Sequence, residues 1–388
     1  MAPPVWILVS GDFTTWGGMD RANYELAWHL AEKVGIETHL VCHFAAEPLA
    51  SHPRVTMHRV AKPLNRYALA APLLAWTGRR MAQRWAPRGA RVVVNGGNCH
   101  WADINWVHYV HSSWMPRVEH ASIWQQARFG WSARQEIAAE NRALRAARHV
   151  VVNSDVTRGH VLALGVAAER IQTVYYGIDP DEFRPVSVEE RLTARQRLGW
   201  GLDRPTAVFV GSLGHDRRKG FDVLFEAWSL LAKEAAWDCD LVAVGGGSDV
   251  PHWQGRAEQL GLSQRIRMLG FSKQVPDVLA AADLLISPTY YEAYGLGVHE
   301  ALCRGLPAMV TRSAGVAERY PSELADLLLD APPTVDDLAA RLRRWRSDQA
   351  GYRQRVAPFA ELLRARTWSD MSRDFFTSVE ASPVEAGR

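Results

Sequence analysis

The stretch Leu284-Leu-Ile-Ser-Pro-Thr-Tyr-Tyr-Glu-Ala-Tyr-Gly-Leu-Gly-Val-His-Glu-Ala-Leu-Cys-Arg-Gly-Leu-Pro-Ala-Met-Val-Thr311 reads as a strand, a loop, a helix and a second strand. Its apolar ends, Leu284–Ser287 and Ala308–Thr311, do not alternate with polar residues, as expected for strands covered by helices on both faces. Gly295 to Gly297 lead into the helix, Gly305 closes it and Pro307 opens the next strand. A strand–helix–strand unit with short connections implies a right-handed crossover and a parallel sheet.

The same pattern extends in both directions. Upstream in the second half lie Ala207–Val210, Asp240–Val244 and Ile266–Leu269. The first half holds a matching series: Val5–Val9, Thr38–Cys42, Arg91–Val94, His149–Val152 and Gln172–Tyr175. Two such series predict an α/β chain of two doubly wound, Rossmann-like domains. The seam is expected near Phe183-Arg-Pro185, after the turn-like Gly177-Ile-Asp-Pro180 and before a polar helix over Val188–Leu198. The domains are therefore 1–185 and 186–365, with 366–388 a last helix and tail, frayed from Ser382.

Composition narrows the class. With 47% hydrophobic and 22% charged residues, the chain is that of a soluble globular protein. A net charge of +3 is too small to argue for nucleic acid. Cys42, Cys99, Cys239 and Cys303 lack metal-ligand spacing and read as isolated, mostly buried thiols of a reduced compartment. Val5–Val9 is too short for a signal peptide, and no run is long enough to span a membrane. A cytoplasmic location is expected. From Pro48 to Ala102 there are nine Lys or Arg and no Asp or Glu. Leu73, Leu74, Trp76, Met81 and Trp85, interspersed with Arg79, Arg80, Arg84 and Arg88, form a basic amphipathic segment within residues 64–91. It reads either as a peripheral contact with an anionic membrane at its inner face or as an ordinary surface helix with snorkelling arginines.

Three strand-to-helix junctions carry chemistry. At the first, Gly11-Asp-Phe-Thr-Thr-Trp-Gly17-Gly18 precedes a helix from Met19 to Lys33. Paired glycines let free amides approach a ligand; a tight turn needing positive φ is the equal alternative. The dinucleotide spacing is absent. At the second, Gly211-Ser212 leads through Arg217, Arg218 and Lys219 to Gly220. Cations at a helix start oppose its dipole, and an anion held by them and by the helix amides removes that conflict. A solvated basic turn is the alternative. The third carries Glu292 in the loop and Glu300 in the helix, two carboxylates able to accept paired hydroxyls of a sugar or ribose. A fourth segment, Trp106-Val-His-Tyr-Val-His111, holds His108 and His111 without the further partners a metal needs. Trp106, Trp114, Trp124 and Trp131 read as sugar-stacking or core residues.

Taken in order, these pieces resemble retaining glycosyltransferases of family 4 with the GT-B fold, most densely where seven residues separate Glu292 from Glu300. The Gly17-Gly18 turn, Asn153-Ser154, Tyr176-Gly-Ile-Asp179 and Lys219-Gly220 also fall where that family has counterparts. The resemblance implies two domains facing across a cleft, the first binding acceptor and the second donor, with the C-terminal helix returning to the first. Deleting that helix is expected to disturb interdomain geometry rather than either core. It further implies a UDP- or GDP-sugar donor and a glycan, lipid-linked or small-molecule acceptor. Gly17 and Gly18 would lie against the diphosphate or sugar, Glu292 would hold hydroxyls of the transferred sugar, and Glu300 the ribose. The amides of Leu296 and Gly297 would cradle the diphosphate and Lys219 would neutralise the leaving phosphate. His111, with His108 as second choice, would sit near the anomeric carbon. One departure stands out: Ser212 occupies a position where members often carry Arg, and Arg217 or Arg218 is the substitute cation. No cofactor or metal is expected, since Asp238-Cys-Asp240 starts a buried-looking strand and Asp179-Pro-Asp181 sits in a turn. The rivals are a catalytically silent nucleotide-sugar-binding subunit and another enzyme of this fold, such as an epimerase or phosphorylase.

Overall fold

The computed structural model describes residues 5–115, 123–272 and 274–381, except the side chains of residues 123–129 and 132. The ring of Trp124 and the tail from Ser382, named above, lie outside the described residues. The chain forms two compact units, one of residues 1–113, 128–177 and 366–388, the other of residues 114–127 and 178–365.

The first unit is built on β1 (Trp6–Val9), β3 (Thr38–Cys42), β5 (Val55–Arg59), β6 (Arg91–Asn95), β7 (Ile104–Val107), β8 (His149–Val152) and β9 (Ile171–Thr173). They form one parallel sheet in the order β5-β3-β1-β6-β7-β8-β9, and β2 (Asp12–Phe13) pairs β4 (Phe44–Ala45) beside it. The crossovers carry α1 (Met19–Trp28), α2 (Tyr67–Trp85), α3 (Ile123–Ala146) and α4 (Asp155–Ala163). Five of its strands, β1, β3, β6, β7 and β8, are buried throughout, which is why their sequences do not alternate. Two strands of the seven-stranded sheet were not foreseen. β5 is an edge strand with three exposed residues and a polar sequence, Val-Thr-Met-His-Arg. β7 contains Asn105, whose side chain exchanges two 2.9 Å hydrogen bonds with the backbone of Gly96 and so is satisfied inside.

The second unit carries β10 (Thr206–Val210), β11 (Asp240–Val244), β12 (Ile266–Gly270), β13 (Leu284–Ser287), β14 (Ala308–Thr311) and the short β15 (Leu328–Leu329). The sheet is parallel, in the order β12-β11-β10-β13-β14-β15. Its helices are α5 (Val188–Arg197), α6 (Phe221–Leu231), α7 (Val250–Gln259), α8 (Val275–Ala281), α9 (Leu296–Cys303), α10 (Val335–Ser347) and α11 (Gln349–Arg364). The units join at Gly177–Ile178, ahead of Phe183-Arg-Pro185, because Ile178 and Phe183 both belong to the second unit's core.

The last helix, α12 (Trp368–Glu380), packs within the first unit and is fixed by a capping box between Thr367 and Asp370. Met371, Phe375 and Val379 are fully buried, and Phe375 lies 4.6 Å from the Trp106 ring. The expectation that its loss would spare both cores is therefore corrected: α12 is part of the first unit's core. All four cysteines are buried thiols, their pKa values pushed up by burial to between about 11 and about 12, so none is a nucleophile near neutrality. Among the described residues no helix is long and apolar enough to cross a membrane. Along α2, Leu69, Leu73 and Trp76 are exposed, as are Arg79, Arg80 and Arg84, while Leu74 and Met81 are buried.

Candidate active site

In the second unit, chemistry gathers beyond the C-terminal ends of two adjacent strands, β10 and β13. The loop after β10 is laced to the loop after β11. Leu213 N–H donates to Gly246 O at 2.9 Å, and Asp249 N–H donates to Leu213 O at 2.9 Å. A side chain at Gly245 would place its Cβ 1.8 Å from Gly211 O, so this approach requires glycine. The sequence reading passed over Gly245-Gly246-Gly247; three glycines directly after a strand were the available signal.

The loop then turns through Arg217, at φ +48°, to Gly220, which starts α6. The loop after β13 docks on it: Tyr290 N–H and the Thr289 hydroxyl both donate to Arg218 O, each at 2.9 Å. This brings Lys219 Nζ onto Glu292 Oε2 as an ion pair, with both side chains about four-fifths buried. Arg217 instead lies over the Trp253 ring at 5.8 Å, and Arg218 is 3.7 Å from Asp216. Ser212 is exposed.

Glu292 is held by its main chain, whose carbonyl accepts from Gly315 N–H at 3.1 Å. Gly295, at φ +100°, starts α9, so the amides of Leu296 and Gly297 open the helix without intrahelical acceptors. Glu300 follows on the same helix, partly buried. Inside, the Tyr294 hydroxyl and His299 Nδ1 share a 2.8 Å hydrogen bond. Side-chain caps begin α4, α5, α10, α11 and α12, from Ser154, Ser187, Thr334, Asp348 and Thr367. By contrast α1, α6 and α9 all begin at glycine with no side-chain cap. Asp20 and Asp222 stand in the first turns of α1 and α6, whereas the first turn of α9 carries no acid, and its N-terminal amides and positive dipole end remain available to an anion.

In the first unit, Gly17 has φ +83° and Gly18 precedes α1; a Cβ on either would meet nothing within 4 Å. The two histidines separate clearly. His108 is buried between Trp106, 4.5 Å away, and the Tyr176 hydroxyl, and burial pushes its pKa down to about 3, so it is a neutral core residue. His111 is part exposed and bonded to Glu140, a residue the sequence reading did not single out. Trp106 is core, Trp131 is exposed, and Trp114 stacks on Tyr290 in the second unit with centroids 5.4 Å apart. Of the Asp-x-Asp pairs, Asp238 is bound to Arg346, and Asp179 caps its own turn by accepting from Asp181 N–H at 3.0 Å.

Comparison with known proteins agrees with this geometry. Residues 16–182 match the model of Glycosyltransferase Family 4 and residues 190–362 that of Glycosyl transferases group 1, together most of the chain. A 2-deoxystreptamine glucosyltransferase of Streptomyces kanamyceticus is 30% identical over 238 residues, 60% of this chain and 58% of that one. The chain thus spans a little over half the length of the curated relatives it matches. Among solved structures, WaaG, a glycosyltransferase involved in lipopolysaccharide biosynthesis, superposes with a TM-score of 0.75 at 19% identity, over 97% of this chain and 100% of that one. Anabaena HepE, crystallised with UDP and glucose, gives 0.71 at 17% identity over 98% and 100%. At those identities the structures speak to the fold, which is GT-B, and the two family models speak to descent. The chain belongs to the family 4 glycosyltransferases.

Proposed function

We propose that this chain is a retaining, metal-independent glycosyltransferase that moves a sugar from a UDP- or GDP-sugar to a hydroxyl of a glycan, lipid-linked or small-molecule acceptor. The observation that carries the reading is the pairing of two uncapped, glycine-started helices, α6 and α9, on neighbouring strands, with the Lys219–Glu292 pair at their junction. Departure of a nucleoside diphosphate builds negative charge on phosphate, and a fixed cation with aligned amides stabilises that charge without reorganising. Lys219 and the amides of Leu296 and Gly297 take that role. Glu292 accepts from hydroxyls of the transferred sugar, and Glu300 accepts both hydroxyls of the ribose. Gly17, Gly18 and His111 are assigned the donor contacts that the family likeness implies. The proton released by the acceptor hydroxyl passes to the leaving phosphate.

The test is a thermal-shift panel of UDP-, GDP-, ADP- and dTDP-sugars, followed by an assay for slow release of the nucleoside diphosphate. A donor at a hundred times its Kd is expected to stabilise the protein by about 2.7 kcal/mol. A panel without any shift would sink the reading. A shift without release would favour the silent binding subunit, the reading that exposed Ser212 supports. Activity lost to a chelator and restored by Mn²⁺ would remove metal independence. The exposed apolar and basic residues of α2 support a peripheral lipid contact. Salt-sensitive binding to anionic vesicles, lost on neutralising Arg79, Arg80 and Arg84, is the expected result; binding unaffected by those changes would refute it.

A further inference from the structure

His111 opens one turn of 3-10 helix, His111–Ser113, and a carboxylate from α3 grips it at two points. Glu140 Oε2 accepts the His111 main-chain N–H at 2.8 Å, and Oε1 accepts the ring Nδ1–H at 2.8 Å. A carboxylate only accepts, so the proton of the neutral ring is fixed on Nδ1 and Nε2 is left as the acceptor. The Glu140 side chain is wholly buried, whereas the His111 side chain is 40% exposed. The anchor is inside and the ring faces outward.

Burying a carboxylate is costly unless it is fully bonded, and the surroundings are shaped to permit it. A Cβ at Gly97 would lie 3.0 Å from Glu140 N, and one at Gly96 would lie 3.4 Å from Glu140 Oε1. Asn105 then locks Gly96 through its two backbone bonds. Three elements, α3, the glycine turn after β6 and Asn105 of β7, converge on one acid. An acid serving only to tie α3 down would need one donor of any kind. This one takes the main-chain N–H and the ring of the same histidine, which fixes the Val110–His111 peptide plane and the ring's tautomer together.

We infer that Glu140 is a positioning residue for glycosyl transfer, holding the His111 peptide and imidazole in the single orientation that the reaction uses. This rests on the reading of His111 given above. Burial alone would lower the ring's pKa, but the hydrogen bond and charge of Glu140, with the charge of Glu136 beside it, hold it above its ordinary value. The two groups are therefore coupled electrically as well as geometrically.

The test compares wild type, H111A, E140Q and the double variant, using the sugar nucleotide with the largest shift in the panel and measuring kcat and KM for nucleoside diphosphate release across pH. E140Q is expected to lower kcat by about tenfold to a hundredfold, as misplacement of a reacting group does, with little change in KM. The double variant should be no slower than H111A, and the limb of the profile belonging to the imidazole should move to lower pH in E140Q. A wild-type kcat in E140Q beside a slow H111A overturns the inference alone. An unchanged H111A overturns the histidine's role instead, and additive losses place the action of Glu140 elsewhere. Should E140Q misfold, E140D keeps the charge but withdraws it, and a wild-type kcat there is equally damaging. An NMR titration of the His111 ring reports without substrate: its midpoint should fall in E140Q, and an unmoved midpoint rejects the coupling.

Discussion

Lys219 and Glu292 neutralise one another at partial burial, and each is also assigned a ligand contact, so their separate values can be measured. Lys219→Met keeps the stem against Gly211, whose Cβ position lies 3.4 Å from Lys219 Cγ, and removes only the charge. Loss of one preorganised group for developing phosphate charge costs about 2.7–4 kcal/mol of transition-state stabilisation. Turnover of the folded variant should therefore fall by about a hundredfold or more, as read by product release, while urea denaturation reads separately the cost of leaving the largely buried Glu292 without its partner. A variant within tenfold of wild type would put the decisive cation elsewhere. Asp20 provides a pH-dependent counterpart. Burial, then the charge of Asp12, raise its pKa to about 6 against the opposing pull of Lys62. A carboxyl raised in the folded state penalises folding above that pKa, and the penalty disappears as pH falls toward the unfolded value near 3.8. Asp20→Asn should accordingly raise the melting temperature at pH 7.5 and leave it unchanged near pH 4; an equal gain at both would refute the assignment. At this scale the sequence revealed residue types at telling positions but not their partners. His108 and His111 stand three apart and look alike. They differ because Tyr176 and Glu140, far along the chain, come to meet them.

Among the elements, strands with both faces covered were legible, since burial on two sides removes any need for polar alternation. Thr38–Cys42, Asp240–Val244 and Ala308–Thr311 fall where their apolar runs predicted. β5 and β7 escaped because one lies at an edge and the other buries an asparagine satisfied by a distant glycine. Glycines at helix starts were visible too, but the reasons for them were not. Two that look equivalent in sequence are predicted to behave oppositely. An alanine at Gly220 would put its Cβ 1.8 Å from Pro288 O at φ +67°, forcing apart the loops that hold Lys219 and Glu292. Gly220→Ala should cost at least about 2 kcal/mol of stability and abolish turnover. A Cβ on Gly297 meets nothing within 4 Å, so Gly297→Ala should fold normally. It should nevertheless weaken donor binding, because a methyl group would stand where the diphosphate approaches the first amides of α9. Denaturation midpoints and donor thermal shifts, measured on both variants, separate a steric requirement from a ligand requirement. Equal donor affinity in Gly297→Ala and wild type would argue against diphosphate at this helix.

On the scale of the whole molecule, the first unit is closed by α12, which follows the whole of the second unit in the chain. The C-terminal helix was recognisable from its aromatic and apolar spacing, but not its depth of burial, which depends on strands more than two hundred residues earlier. Trp368, Met371, Phe375 and Val379 of α12 are all buried, Phe376 packs 5.6 Å from Trp6 of β1, and Phe375 lies 4.6 Å from Trp106 of β7. The entry into the helix is equally committed. Arg366 donates to Tyr175 O at 3.1 and 2.9 Å, and a Cβ on Gly177 would come within 2.1 Å of Thr367 O. Burying four such side chains contributes roughly 6–12 kcal/mol at about 1.5–3 kcal/mol each, comparable with the roughly 5–15 kcal/mol that holds a whole domain folded. A chain ending at Ala365 should therefore lose the first unit rather than merely loosen a hinge. Hydrogen exchange on that truncation is expected to show β1, β6 and β7 unprotected while β10, β11 and β13 keep their protection. The sugar nucleotide selected by the panel should still shift the melting of the second unit, because Lys219, Glu292 and the start of α9 are intact, but no transfer should be detected. Protection retained in β1 and β7 would mean that α12 is an accessory to the first unit's core and not a component of it.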